Sequence, residues 1–204
     1  MSSSRLFCLV GPSGSGKSTL CKELLKHFSN LKLSISTTTR APRGEEKDGA
    51  HYFFVSKEEF EKRISTGFFI EYAQFGSNLY GTEKRNIQNA FSQGFDLLLD
   101  IEVQGVLQLR KLYKELTVVF VAPPSKEILT ERLRGRKDTS EEEINKRLKI
   151  ASEEMHILIE PGVCDYIVVN NELPETLNSI KAIISNKTEE IEPISQDLIN
   201  KIRF

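Results

Sequence analysis

A chain of 204 residues, 39% hydrophobic and 28% charged, has the size and composition of one globular core with room for insertions. Its formal net charge of −1 excludes a global field that would draw it to nucleic acid or an anionic membrane, so any anion must be held by a local cluster. No run approaches the roughly 20 apolar residues of a bilayer span, and the first residues lack the basic-then-apolar order of a secretory leader.

The three cysteines, Cys8, Cys21 and Cys164, are far apart and odd in number. They offer neither a metal-binding spacing nor a disulfide framework, so buried free thiols in a reducing cytoplasm are expected.

Leu6 to Val10 is a short apolar run, the mark of a strand covered on both faces. It ends at GPSGSGKST, Gly11 to Thr19, and a helix is predicted from Lys17 to Phe28. Gly11, Gly16, Lys17 and Ser18 complete the pattern G-x-x-x-x-G-K-[ST] between a strand and a helix, the context that gives the pattern meaning. Glycines let the backbone N–H groups turn inward around phosphate, and the helix N-terminus adds partial positive charge. The nucleotide-binding candidates are therefore Gly11, Pro12, Ser13, Gly14, Ser15, Gly16, Lys17, Ser18 and Thr19, with Lys17 on the terminal phosphates and Ser18 on Mg²⁺.

Residues from about Leu33 to Phe91 read differently. HYFFV (His51 to Val55) and FFIEYAQF (Phe68 to Phe75) look like half-exposed, hairpin-like strands, and Ser56 with Glu59 opens a helix between them. This predicts an inserted α+β subdomain. Within it, Arg40 and Arg43 stand three apart, and two guanidinium forks can hold a phosphate dianion bidentately. One charge pair at about 4 Å is worth about 4 kcal/mol at an effective dielectric near 20. Tyr52 and Tyr80 can add hydroxyl donors.

Three further apolar runs follow: FDLLLDI (Phe95 to Ile101), TVVFVA (Thr117 to Ala122) and DYIVV (Asp165 to Val169). Helical stretches between them begin at sensible caps, Ser125 after Pro123-Pro124 and Ser140 with Glu143. Alternating strands and helices predict a doubly wound parallel α/β sheet with right-handed crossovers. Asp100 at the end of its strand is the candidate second Mg²⁺ carboxylate. His27, His51 and His156 are isolated and build no acid–base relay.

The chain resembles the guanylate kinases in family order and spacing. The shared stretches are GPSGSGKST, S-x-TTR-x-PR (Ser36 to Arg43), G-x-HYFF (Gly49 to Phe54), FIEYAQF (Phe69 to Phe75), N-x-YGT (Asn78 to Thr82), LDIExQG (Leu99 to Gly105), APPS (Ala122 to Ser125), RLRGR (Arg132 to Arg136) and IVVN (Ile167 to Asn170). They extend over about residues 5 to 186.

The resemblance implies transfer of the γ-phosphoryl group of ATP to GMP with Mg²⁺, as a step toward GTP and dGTP; dGMP is expected as a second acceptor because no identified residue must read the 2′-hydroxyl. It implies that Glu71 reads guanine, with Ser36, Thr82 and Glu102 beside it, and that Arg40, Arg43, Tyr52 and Tyr80 grip the GMP phosphate. It further implies that Arg132, Arg136 and Arg147 close a lid over the phosphates and that Asn170 lies near the adenine of ATP. The catalytic set is then Lys17, Arg40, Arg136 and Arg147.

The implied organisation is a core of 1–34, 92–130 and 160–187, a GMP-binding subdomain of 35–91, a lid of 131–159 and a polar C-terminal tail or terminal helix of 188–204. Four positions depart from the family pattern: Gly44 shifted by one before Glu45-Glu46, Leu79 for a frequent Tyr, Glu102 for the usual Asp, and Lys137 for a common Gly. The alternative reading is a guanylate-kinase-like module that binds protein partners without catalysis. The intact Lys17, Ser18 and lid arginines stand against it, and the sequence leaves oligomeric state open.

Overall fold

The computed structural model describes residues 4–135, 140–189 and 191–203. The chain runs β1 (Leu6–Val10), α1 (Lys17–His27), β2 (Leu31–Leu33), β3 (Thr37–Thr38), β4 (Phe53–Phe54), α2 (Lys57–Ser65), β5 (Phe69–Phe75) and β6 (Asn78–Glu83). It continues through α3 (Lys84–Ser92), β7 (Asp96–Asp100), α4 (Val103–Leu112), β8 (Thr117–Ala122), α5 (Lys126–Arg134) and α6 (Glu141–Leu158). β9 (Tyr166–Val169), α7 (Leu173–Ile184) and α8 (Gln196–Ile202) complete it.

Five strands form a parallel sheet in the order β2-β7-β1-β8-β9. Side chains alternate along each strand, so each apolar run feeds two core layers. Leu6, Cys8 and Val10 join Leu97, Leu99, Val118 and Phe120 on one face. Phe7 and Leu9 join Leu98, Val119 and Val121 on the other, beneath Leu20 and Leu24 of α1. The chain leaves central β1 with β7 on one side and β8 on the other, which opens a crevice at the strands' carboxyl ends.

Residues 35–91 carry a second, four-stranded sheet in the order β4-β3-β6-β5. β5 and β6 form the expected antiparallel hairpin. HYFFV yields only the two-residue β4, which pairs in parallel with β3 and is no hairpin arm. Phe60 of α2 is fully buried and stacks on Phe69 at 4.4 Å between ring centroids. The Ser56, Ser125 and Ser140 hydroxyls accept from the backbone N–H groups of Glu59, Ile128 and Glu143, as their spacing predicts.

β2 escapes a reading by periodicity because three residues carry too little pattern; register with β7 makes it a strand. At the other end, the residues expected as a polar tail or terminal helix include helix α8. Its Leu198 and Ile202 enter the core layer that holds Met155 and Leu158. The three cysteines are free and buried, and burial pushes the Cys8 and Cys21 thiols well above their usual range. Among the described residues, no helix is long and apolar enough to cross a membrane.

Candidate active site

The phosphate loop sits where β1 meets α1. Gly16 is the N-cap of α1 with φ +97°, and a Cβ there would stand 2.3 Å from the Asn170 carboxamide nitrogen. Only glycine satisfies both demands. Asn170, 6% exposed, donates to the Ser15 carbonyl at 2.6 Å. It therefore braces the loop at that carbonyl. Arg132 donates to the Asn170 carbonyl at 2.9 Å, and its other terminal nitrogen is buried without a partner.

Lys17 donates to the Gly11 carbonyl at 2.5 Å and to that of Pro12 at 3.4 Å, so its ammonium lies across the loop. Ser18 donates to Asp100 at 3.3 Å. Sheet register produces that meeting, because Asp100 pairs with Leu9, two positions before the loop begins. A hydroxyl and a carboxylate side by side are hard oxygen donors suited to Mg²⁺. Among the described residues no group of three or more His, Cys, Asp or Glu side chains is placed to hold a metal, and Mg²⁺ needs only one or two protein ligands when phosphates supply the rest.

A cleft of about 240 Å³ separates this loop from the second sheet. Lys17, Ser18, Asp100 and Glu102 line one wall; Ser36, Tyr52, Glu71 and Tyr80 line the other. Glu71 is 3% exposed and lies opposite Thr82 in the β5–β6 ladder. A bulge between Phe69 and Glu71 turns its side chain inward. Burial pushes its carboxyl up to about 7, the neighbouring Thr82 opposes the rise, and Glu102 adds to it. Glu102 at the head of α4 is itself raised by burial, with the Lys17 ammonium opposing. Glu154 of α6 is raised by burial and by the Glu102 charge.

Arg40 is 9% exposed and held in place. It donates to Glu46 at 2.9 Å and lies over the Tyr52 ring at 5.3 Å. The other Glu46 oxygen accepts from the Arg43 backbone N–H at 2.8 Å. Glu46 therefore ties the two-arginine loop together, and the shifted Gly44 sits in open space beside it. The Arg43 side chain is exposed and borders a separate outer hollow with Lys22 and His51. Tyr52 stands 6.1 Å from Tyr80, and burial raises its hydroxyl to about 12, so it remains a donor at neutral pH.

Arg147 of α6 is held by Glu143 at 3.1 Å. Arg136 and its neighbour Lys137 lie outside the described residues. His51 accepts from the Lys47 backbone N–H, and His27 packs edge-on against Phe28, which are structural roles. Sequence reasoning noted Glu46 as an acidic position but missed its tie to Arg40 and to the Arg43 backbone, and it missed the bracing by Asn170. Acidity three residues after Arg43 was the available signal for the first; the second is a contact across 155 positions with no local signal.

A phosphate loop at the switch point of a parallel sheet makes this a P-loop nucleotide-binding protein. The second sheet stands across the cleft from that loop. A family model described as guanylate kinase matches residues 3–187. The chain is 42% identical over 198 residues to the guanylate kinase of Clostridioides difficile (strain 630), a match that covers 97% of this chain and 95% of that one. It is 44% identical over 179 residues to the guanylate kinase of Rickettsia prowazekii (strain Madrid E), covering 88% and 89%. The crystal structure of guanylate kinase from Anaplasma phagocytophilum superposes with a TM-score of 0.74 at 31% identity, over 93% of this chain and 88% of that one. The chain belongs to the guanylate kinase family.

Proposed function

We propose that the protein seats ATP on Gly11–Thr19 and GMP against the second sheet, and transfers the γ-phosphoryl group to give ADP and GDP. The observation that carries this reading is one cleft with the Lys17 ammonium on one wall and the buried Glu71 on the other. Guanine offers N1–H and a 2-amino group to a single carboxylate. Adenine offers an acceptor at N1 and lacks the amino group, so a buried Glu71 would meet it unpaired. A site built this way can reject the mismatch by about 10⁴-fold or more.

Phosphoryl transfer needs positioning and positive charge rather than a covalent relay. The GMP phosphate oxygen attacks in line while Arg40, with Tyr52 and Tyr80, holds the acceptor phosphate. Arg43 reaches that phosphate only if its exposed side chain turns inward. Lys17 neutralises charge on the terminal phosphates, and Arg132, Arg136 and Arg147 supply further charge from the lid. Ser18 and Asp100 would hold Mg²⁺, partly through water, and the ion would withdraw charge from the phosphates. Ser36, Thr82 and Glu102 complete the base pocket, and no residue is assigned to the 2′-hydroxyl, so dGMP is accepted as well.

The reading as a catalytically silent binding module is not favoured, because Lys17, Ser18 and Asp100 remain together in the cleft. The buried free thiols suit a reducing cytoplasm. The division into two seats is tested with Lys17→Ala. ADP formation should be lost while GMP affinity by calorimetry stays within about threefold of wild type. A large loss of GMP affinity overturns the division.

A further inference from the structure

β5 is the edge strand of the second sheet, and an edge strand presents unpaired peptide groups. At Tyr72, beside Glu71, those groups are paired by a side chain. The Gln108 Oε1 accepts from the Tyr72 N–H at 3.2 Å, and its Nε2 donates to the Tyr72 carbonyl at 2.6 Å. The same Nε2 donates to the Gln104 carbonyl at 3.1 Å, which fixes the carboxamide on its own helix. One glutamine thus takes the place of a neighbouring strand and ties the second sheet to α4.

One turn earlier, α4 has Gly105. A Cβ there would lie 2.3 Å from Glu71 Oε2 and 2.9 Å from its carboxyl carbon. The helix therefore approaches as closely as a glycine permits at Gly105, and grips the adjoining peptide at Gln108. Depth and angle of the Glu71 carboxylate are set from both sides. Glu102, at the head of the same helix, faces the same cleft.

We propose that Gln108 is a positioning residue for guanine selectivity, acting through the Tyr72 backbone to hold Glu71 where one carboxylate meets both guanine donors. This rests on the reading of Glu71 as the residue that recognises guanine. Gln108 is half-buried on a helix surface, so its role differs from that of a core residue.

The test is steady-state kinetics on wild type, Gln108→Met, Glu71→Gln and the double variant. The substrates are GMP and inosine monophosphate, which lacks the 2-amino group. Gln108→Met keeps length and helix propensity and removes the clamp. Two lost hydrogen bonds should raise KM for GMP about tenfold. KM for ATP should stay unchanged, and preference for GMP over inosine monophosphate should fall. In the Glu71→Gln background the same substitution should change neither quantity, because the residue it positions is gone.

Equal rises in KM for ATP and GMP, the same factor in both backgrounds, or unchanged kinetics would overturn the proposal. If Gln108→Met does not fold, Gln108→Glu, which keeps the acceptor and loses the donor, must show the same pattern. A Glu71→Gln enzyme that keeps full base selectivity sinks the base-reading assignment itself, a separate and recognisable result.

Discussion

The Ser18 hydroxyl and the Asp100 carboxylate, 82 positions apart, meet at 3.3 Å at the carboxyl edge of the sheet. One belongs to the first turn of α1 and the other ends β7, and the Leu9–Asp100 register between their strands brings them together. Asp100→Ala should leave GMP affinity intact and lower kcat by about 10²- to 10³-fold, the scale for loss of one preorganised electrostatic partner. It should also raise the Mg²⁺ concentration needed for half-maximal rate. A Mg²⁺ titration of ADP formation measures both.

With Glu71 as the proposed reader of guanine, GMP binding should depend on pH. Its carboxyl is raised to about 7 by burial, and only the ionised form accepts two N–H groups. KM for GMP should therefore rise as pH falls below about 7, approaching tenfold per pH unit, while KM for ATP should not follow. Stability has the opposite sign. A carboxyl with a raised folded pKa binds its proton more tightly in the native state, so its contribution is present at acid pH and lost as pH rises through about 7. Glu71→Gln should flatten both profiles, read by kinetics and by thermal melts across pH.

Asn170 holds the phosphate loop through a single buried hydrogen bond to the Ser15 carbonyl. Asn170→Ala leaves that carbonyl unpaired, at a cost of about 1–3 kcal/mol. KM for ATP should rise and Tm should fall, with KM for GMP little changed. A rise in KM for both nucleotides would mean that Asn170 acts beyond the loop.

Ile202 is 1% exposed and packs in the core layer with Met155 and Leu158. Ile202→Ala should destabilise the fold by about 2–4 kcal/mol, a Tm shift of roughly 4–16 °C for a chain of this size. Differential scanning calorimetry checks it. A neutral substitution would make α8 an ornament on the core.

The parts legible from sequence share one property: their physics is local. The loop from Gly11 to Ser18 declares itself because phosphate binding needs those residue types at that spacing. The caps at Ser56, Ser125 and Ser140 follow because a hydroxyl reaches a backbone N–H three residues on. The base-reading assignment for Glu71 rests on family resemblance, since a lone glutamate in a strand has no pattern of its own. What stayed hidden is made by tertiary approach. Gly105 looks like an unremarkable helical glycine until Glu71 is seen against it. Gln108 looks like a solvated helix residue until β5 presents Tyr72. The packing of α8, expected as a tail or terminal helix, stayed obscure because seven residues are too few for periodicity to speak.

The most direct measurement is ADP formation from ATP and Mg²⁺, with GMP, AMP, UMP and CMP offered separately to the folded protein. Rapid turnover with GMP and background rates with the other three is the predicted result. Turnover with AMP comparable to GMP, or no turnover with any acceptor, would contradict it.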